Sequence, residues 1–182
     1  MRKGFTIVEM LTVVGIIAVL ATIITTAASG AIKSGRDKRA DVMRTALSQA
    51  VGAYYAQEGK WPSLIEQFIQ SGGRGDSNDD NLKTFKDTQA DQILREVVGK
   101  GFGKSGAKVM LIDASALFVC ESSSANSSRA YGIDFTAATA KGAKRKIPLS
   151  QMAFGYQDRE TGRFKRFKVI YKLNADSVSV EK

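Results

Sequence analysis

The chain begins with a long apolar run. Between Phe5 and Gly30 the only ionisable side chain is Glu9, and Val, Ile, Leu, Ala and Met dominate. A helix of about 26 residues rises ~39 Å, which exceeds the ~30 Å hydrocarbon core of a bilayer. The pattern therefore predicts a membrane-spanning helix over residues 5–30.

After residue 30 the apolar positions recur with helical spacing. They form a stripe at every third or fourth position: Met43, Leu47, Ala50 and Tyr54. This spacing predicts an amphipathic continuation of the helix over residues 31–60, packed on a domain. Gly59 is a candidate C-cap, and Pro62 cannot continue a helix. The alternative is two helices that break at Gly30 or Gly35.

The remaining residues, 61–182, predict a globular head. Ser63 and Glu66 fit a capping box of a short helix, and a second helix is predicted near 89–98. Apolar runs bounded by turn residues predict strands: 108–112, 116–120, 130–135, 152–156, 163–173 and 177–181. Hairpins are expected between 116–120 and 130–135, and between 152–156 and 163–173. The fold class is therefore α+β, with a long N-terminal helix packed on an antiparallel sheet.

Composition limits the chemistry. The 182-residue chain has no histidine, one cysteine and a net charge of +9. The commonest general base and the commonest zinc ligand are therefore missing, and no intramolecular disulfide can form. Cys120 is expected to be a small buried hydrophobic residue. No spacing of Ser, Lys or carboxylates indicates a catalytic site, so we predict that the chain is not an enzyme.

One polar loop is similar to a calcium-binding loop. Asp76, Asn78 and Asp80 alternate, and Asp87 lies eleven residues after Asp76. However, Asn81 stands where such a loop requires glycine. We expect a solvated loop and no cofactor, with calcium binding as the alternative.

A glycine-rich segment and two basic segments require separate interpretations. Residues 101–106 satisfy G-x-G-x-x-G, but a dinucleotide site needs a strand before it and a helix after it, and here the predicted order is reversed.

The basic segments 141–146 and 163–168 suggest DNA contact, since the second alternates cations with phenylalanines. Strand alternation instead favours solvated cations: it places Phe167, Val169, Tyr171 and Leu173 on one face and Arg166, Lys168 and Lys172 on the other.

The N-terminal residues "MRKGFTIVEMLTVVGIIAVLATII" resemble those of type IV pilins and type II secretion pseudopilins. Arg2 and Lys3 correspond to the basic leader, Gly4 to its last residue, Phe5 to the new N-terminus and Glu9 to the glutamate four positions later. The resemblance implies that prepilin peptidase, a membrane-embedded protease, cuts after Gly4 and methylates the Phe5 amine. It further implies a leader over residues 1–4.

The resemblance also implies a topology and partners. The family's C-terminal domain lies outside the cytoplasm, anchored in the inner membrane, and its helices assemble with homologous subunits into a filament. Glu9 could pair with the Phe5 amine of its own chain or with that of an incoming subunit, and the resemblance implies the incoming subunit, which would fix the axial register. The alternative is that Glu9 only assists insertion or recognition by the protease. The positive-inside rule alone would favour the opposite orientation, and the family's orientation overrides it. More cations follow the apolar run than precede it: Lys33, Arg36, Lys38 and Arg39.

A second stretch extends the resemblance to about residues 1–65. It is similar to the segment after the long helix in secretion pseudopilins, through Tyr54, Tyr55, Gly59, Trp61 and Pro62. The chain departs from the family in one respect, because many members have a proline late in the apolar run and this chain has none there.

Three other functions stay open. The first helix could anchor a periplasmic binding domain, the chain could be a competence-type pilin that contacts DNA, or it could be a secreted protein cut near Ser29. The mature N-terminus distinguishes the filament subunit, which begins at Phe5, from an anchored domain beginning at Met1 and a secreted one beginning near Ser29.

Gly4→Leu is expected to block removal of the leader, because the implied cleavage requires a small residue before Phe5. Mass spectrometry of the membrane-bound chain measures this directly. A Gly4→Leu chain that still begins at Phe5 would contradict the prepilin interpretation.

Overall fold

A computed structural model describes residues 6–77, 79–99, 119–121, 132–134, 139–141 and 147–182. The chain divides into two compact units, Met1–Gly35 and Arg36–Lys182. The described helices are α1 (Ile7–Glu58), α2 (Ser63–Gln70) and α3 (Asp87–Gly99), with a 3₁₀ turn at Leu149–Gln151. The described strands are β1 (Leu82–Phe85), β2 (Val119–Glu121), β3 (Gly132–Asp134), β4 (Thr139–Lys141), β5 (Met152–Gln157), β6 (Phe164–Arg166), β7 (Lys168–Lys172) and β8 (Ser177–Glu181). The predicted pilin-like α+β class is confirmed.

Helix α1 is helical through Gly30 and Gly35, so the alternative of two separate helices is wrong. Within the second unit its apolar stripe is buried, as the spacing predicts: Ala40, Met43, Leu47, Ala50, Val51 and Tyr54. The helix ends at Glu58 and is followed by Gly59, whose φ is +68° and whose N–H donates to the Tyr55 carbonyl at 2.9 Å. Glycine adopts this left-handed conformation without a Cβ clash, which makes it a favourable C-cap.

The predicted capping box of α2 is only half right. The N-cap position is Pro62, and Ser63 instead donates its N–H and hydroxyl to Glu96 Oε2 at 2.9 and 2.7 Å. Glu66 does reach back, and its Oε1 accepts from Trp61 N at 2.7 Å. Pro62 has no N–H, so Glu66 bonds to the amide of the preceding residue, Trp61. Ser63 lies one position inside the helix and bonds to Glu96 on α3.

The first sheet has the strand order β1-β7-β8, with antiparallel pairing throughout. The register runs from Leu82 opposite Lys172 to Phe85 opposite Val169. Helix α1 contacts the outer strand β8, where Val180 N donates to Ser48 Oγ at 2.9 Å. The sequence pattern did not predict β1, since its four residues lack alternation.

The second sheet has the order β2-β5-β6, and among the strands that the structure describes β3 pairs with β4 alone. The predicted hairpin between 116–120 and 130–135 is therefore wrong, because β2 pairs with β5. The hairpin between 152–156 and 163–173 is confirmed as β5–β6. The segments 101–106, 108–112 and 142–146 lie outside the described residues.

The chain changes sheet at Phe167, and this corrects one predicted face. Phe164 and Phe167 are both buried, which strict alternation along one strand would forbid. Because β6 and β7 belong to different sheets, Arg166 faces the same way as Phe164 in β6 and not the same way as Lys168 in β7. Only 17% of the Arg166 side chain is exposed. The prediction that Arg166 is solvated with Lys168 is therefore wrong.

A cluster of aromatic side chains closes one end of the core. Trp61 stacks on Tyr55 with ring centroids 4.2 Å apart and meets Tyr171 edge-on. Asp176 Oδ1 accepts from both Trp61 Nε1 and the Tyr171 hydroxyl, each at 2.8 Å. The single tryptophan of the chain is thus buried and hydrogen-bonded, so its fluorescence reports on the folding of the second unit.

Glu96→Ala is expected to lower the free energy of unfolding by about 1–3 kcal/mol, because it removes the acceptor of the Ser63 N–H and of the Tyr54 hydroxyl. The Tyr54 hydroxyl lies 2.7 Å from Glu96 Oε1. Glu96→Gln keeps one carbonyl acceptor and should cost less. Urea denaturation of the full chain in detergent, followed by Trp61 fluorescence, measures both. Equal stability of the wild type and Glu96→Ala would show that water replaces these bonds.

Candidate functional site

Helix α1 begins at a reciprocal cap between Thr6 and Glu9. Thr6 N and Thr6 Oγ1 both donate to Glu9 Oε2 at 2.8 Å, and Glu9 N donates to Thr6 Oγ1 at 3.3 Å. This is the T-x-x-E capping box, which satisfies two of the amides that a helix start leaves unpaired. The Glu9 carboxylate is therefore held at the first turn, where the helix dipole favours an anion.

The role of Thr6 was not predicted. Glu9 was interpreted only by its spacing from Phe5, although a threonine three residues before a glutamate and ahead of an apolar run is a recognisable helix start. Arg2, Lys3, Gly4 and Phe5 lie outside the described residues, so the geometry of the cleavage position stays a prediction.

The segment after the cap exposes its apolar side chains. Among the described residues, α1 is the helix that is long and apolar enough to cross a membrane: its best window has a mean hydropathy of 2.6 and is not buried by the chain. The exposed side chains include Ile7, Val8, Leu11, Ile16, Leu20 and Ile24. A contiguous exposed apolar surface of this kind marks contact with a membrane or another protein. The helix fits a single membrane anchor.

The hydroxyls within this segment are all bonded to their own helix. Thr12 donates to the Val8 carbonyl at 2.8 Å, and four further hydroxyls donate in the same way to carbonyls three or four residues earlier: Thr22, Thr25, Thr26 and Ser29. An unsatisfied polar group in hydrocarbon costs several kcal/mol. These side chains therefore enter an apolar medium with their donors already paired.

The comparisons with known proteins agree with this geometry. Residues 1–25 match the family model described as the prokaryotic N-terminal methylation motif. This motif is the prepilin-type signal of type IV pilins and pseudopilins, so the recognition made from the sequence is confirmed. It supports a pilin-like structural class and does not describe an enzyme class. Neither the curated proteins nor the solved structures gave a match.

Two of the residues considered for calcium, Asp76 and Asp87, have other partners. Asp76 Oδ1 lies 3.2 Å from Lys83 Nζ, and Asp76 Oδ2 accepts from Thr84 N at 2.8 Å. Asp87 lies 3.6 Å from Arg166, on the first turn of α3. Asn78 is outside the described residues, and Asp80 is exposed. Among the residues that the structure describes, no group of three or more His, Cys, Asp or Glu side chains is placed to hold a metal ion.

A buried carboxylate, Asp91, links α3 to the second sheet. Asp91 is fully buried, and its Oδ1 accepts from Phe154 N at 3.0 Å. Phe154 is opposite Val119 of β2, and its carbonyl accepts from Phe167 N at 3.1 Å, whereas its own N–H donates to the Asp91 side chain. Arg166 Nε lies 3.1 Å from Asp91 Oδ2. Sequence analysis missed Asp91, although an aspartate among Ala90, Ile93 and Leu94 was the available signal.

Burial controls the ionisation of two groups near this junction. It raises the pKa of the Asp91 carboxyl to about 6, although the Phe154 N–H and Arg166 act in the opposite direction. Burial also raises the pKa of the Cys120 thiol to about 12. Cys120 is therefore protonated at neutral pH and is no thiolate nucleophile, which agrees with the predicted buried cysteine.

The stability of the wild type relative to Asp91→Asn is expected to fall as pH rises from about 4 to about 6. The folded state has the higher pKa at Asp91 and binds the extra proton in this window, so raising the pH costs the wild type up to about 1–3 kcal/mol. The asparagine variant lacks this titration. Urea denaturation of both full chains at pH 4, 5, 6 and 7, monitored by Trp61, gives the difference. A relative gain for the wild type with rising pH would mean that pairing with Arg166 outweighs burial.

Proposed function

We propose that this chain is a structural subunit, a pseudopilin or pilin-like protein, of a type II secretion or type IV pilus-like filament. The observation that carries the proposal is the Thr6–Glu9 cap at the head of an exposed apolar helix, inside the matched methylation motif. A mere anchor would need the apolar side chains but not a carboxylate held among them. Such a carboxylate costs about 3 kcal/mol or more in a bilayer unless it is paired.

The proposal divides the chain into four parts. Residues 1–4 are the leader, 5–30 form the membrane and filament-core helix, 31–60 form the amphipathic continuation, and 61–182 form the head. The partners are prepilin peptidase, homologous pilin-like subunits and the inner membrane. The chain crosses that membrane once, with its C-terminal part outside the cytoplasm.

Cleavage after Gly4 would place a new cation beside the cap. The Phe5 amine is one residue from Thr6, and the Glu9 carboxylate already accepts two hydrogen bonds from Thr6. A carboxylate has capacity for further donors, so Glu9 can keep its own cap and still accept from an amine. The pair formed with the amine of an incoming subunit would then set the axial register, and the low dielectric of the membrane would strengthen it.

In this proposal Thr6 is a positioning residue. Its hydroxyl and N–H hold Glu9 Oε2 at the helix start and leave Oε1 without a hydrogen bond to the residues that the structure describes. The second oxygen is then available to the amine of the neighbour. Removal of the hydroxyl should weaken assembly without removing the charge.

Glu9→Ala is expected to retain cleavage at Gly4–Phe5 and membrane insertion but to reduce crosslinking between subunits in the membrane at least tenfold, because the charge pair is lost. Thr6→Val should give an intermediate loss, and Thr6→Ser should restore crosslinking. Thr12→Val is the matched control, since its hydroxyl bonds only within the helix. Processing is checked by mass in each variant. Wild-type crosslinking by a correctly processed Glu9→Ala chain would refute the register role.

A further inference from the structure

A cleft of about 250 Å³ opens in the second unit, where α3 begins and β6 gives way to β7. It is lined by Lys86, Asp87 and residues 164–168. This lining carries four cationic side chains and one carboxylate. The cleft therefore concentrates positive charge in a concave site, which attracts anions.

Two of the four cations are already paired with carboxylates. Lys165 Nζ lies 2.6 Å from Asp158 Oδ2, and Arg166 Nε lies 3.1 Å from the buried Asp91. This contact is an ion pair rather than an aligned hydrogen bond, and it holds the guanidinium near Asp91, which itself accepts from the Phe154 amide.

The other two cations, Lys86 and Lys168, line the same cleft. Phe85 is opposite Val169 in the last pair of the β1–β7 register, and Lys86 follows Phe85 as Lys168 precedes Val169. Both side chains are exposed, and within the described residues neither has a carboxylate in ion-pair distance, although Lys168 is opposite Glu181 in the β7–β8 register. Two cations at one cleft repel each other, and an anion between them would offset that repulsion.

We propose that this cleft binds a small, multiply charged phosphate-type anion, held by Lys86 and Lys168 at its mouth and by Arg166 at its wall. The volume lies below the ~300–1,000 Å³ of sites for drug-sized ligands, which suits a compact oxyanion. Phe164 and Phe167 are buried, so they offer no ring face on which a base could stack. The recognised group is therefore the phosphate, either free or on a lipid headgroup.

Asp87 is the natural competitor of this anion. Its carboxylate is 75% exposed and lies 3.6 Å from Arg166 Nη1. Its φ is +49°, a conformation that asparagine also tolerates. Asp87→Asn therefore removes the competing charge without new backbone strain, and it provides a variant in which binding should improve.

The test is calorimetric titration of the full chain, in non-ionic detergent, with inorganic pyrophosphate. Lys86→Gln and Lys168→Gln should each weaken binding about tenfold, as expected for a charge-assisted hydrogen bond. Asp87→Asn should tighten binding about two- to fivefold. Lys60→Gln and Asp80→Asn change exposed charges outside the cleft and should leave the affinity unchanged.

The source of the phosphate is distinguished in phosphatidylcholine nanodiscs with and without phosphatidylglycerol. If phosphatidylglycerol competes with pyrophosphate for the wild type but not for the two lysine variants, the natural ligand is a lipid headgroup. If phosphatidylglycerol does not compete, the ligand is a free anion. Equal pyrophosphate affinity in the wild type, Lys86→Gln and Lys168→Gln would overturn the proposal. Tighter binding of single-stranded oligothymidylate through the same lysines would also overturn it, by replacing the small anion with a nucleic-acid strand.

Discussion

The apolar side chains at the start of α1 have nothing in their own unit to cover them. Twelve large ones between Ile7 and Ile24 are exposed, each by about half or more. Burial of a side chain of this kind contributes about 1.5–3 kcal/mol, so leaving all of them in water is far more costly than the few kcal/mol by which a domain is stable. A membrane or neighbouring helices must therefore cover this surface. The Thr6–Glu9 cap and the paired hydroxyls suit that setting, because they satisfy polar groups that an apolar medium would leave unpaired.

In the second unit, the apolar side chains of the same helix are buried by its own chain. There one face is buried in the core of its own chain, and polar atoms at the edge of that face form specific bonds: Ser48 with β8 and Tyr54 with α3. The first part of α1 thus depends on an outside partner, whereas the later part is completed by its own fold. One helix therefore presents an exposed apolar surface in its first part and completes a globular core in its later part.

Much of this arrangement could be predicted from local sequence, because local chemistry determines it. The apolar run, the stripe ending in Tyr54, the Gly59 cap and the β5–β6 hairpin each follow from neighbouring residues. Pairings between distant strands could not be predicted in this way. Nothing in residues 119–121 indicates that their partner is β5, and the four residues of β1 form a strand only because β7 lies beside them.

The errors at the buried charges have a common origin. The prediction treated residues 163–173 as one strand with alternating faces, and it therefore placed the Arg166 side chain in solvent. The two buried phenylalanines at 164 and 167 have opposite parity, and this was the available sign of a break. Once the break is recognised, an inward arginine needs a buried partner, and Asp91 on the inner face of α3 becomes the expected one. The Thr6 cap was likewise visible as T-x-x-E.

The position of the central strands also affects when the head can form. Each three-stranded sheet is organised around a strand from late in the chain: β5 joins β2 to β6, and β7 joins β1 to β8. Neither β2 nor β1 has its sheet partner until the chain beyond Met152 is present. Such long-range pairing is slow and exposes unpaired edges in the meantime. A chain that lengthens from its N-terminal helix onward would thus have its helices formed while both three-stranded sheets are incomplete, and it would depend on protection from aggregation until its last segments are present.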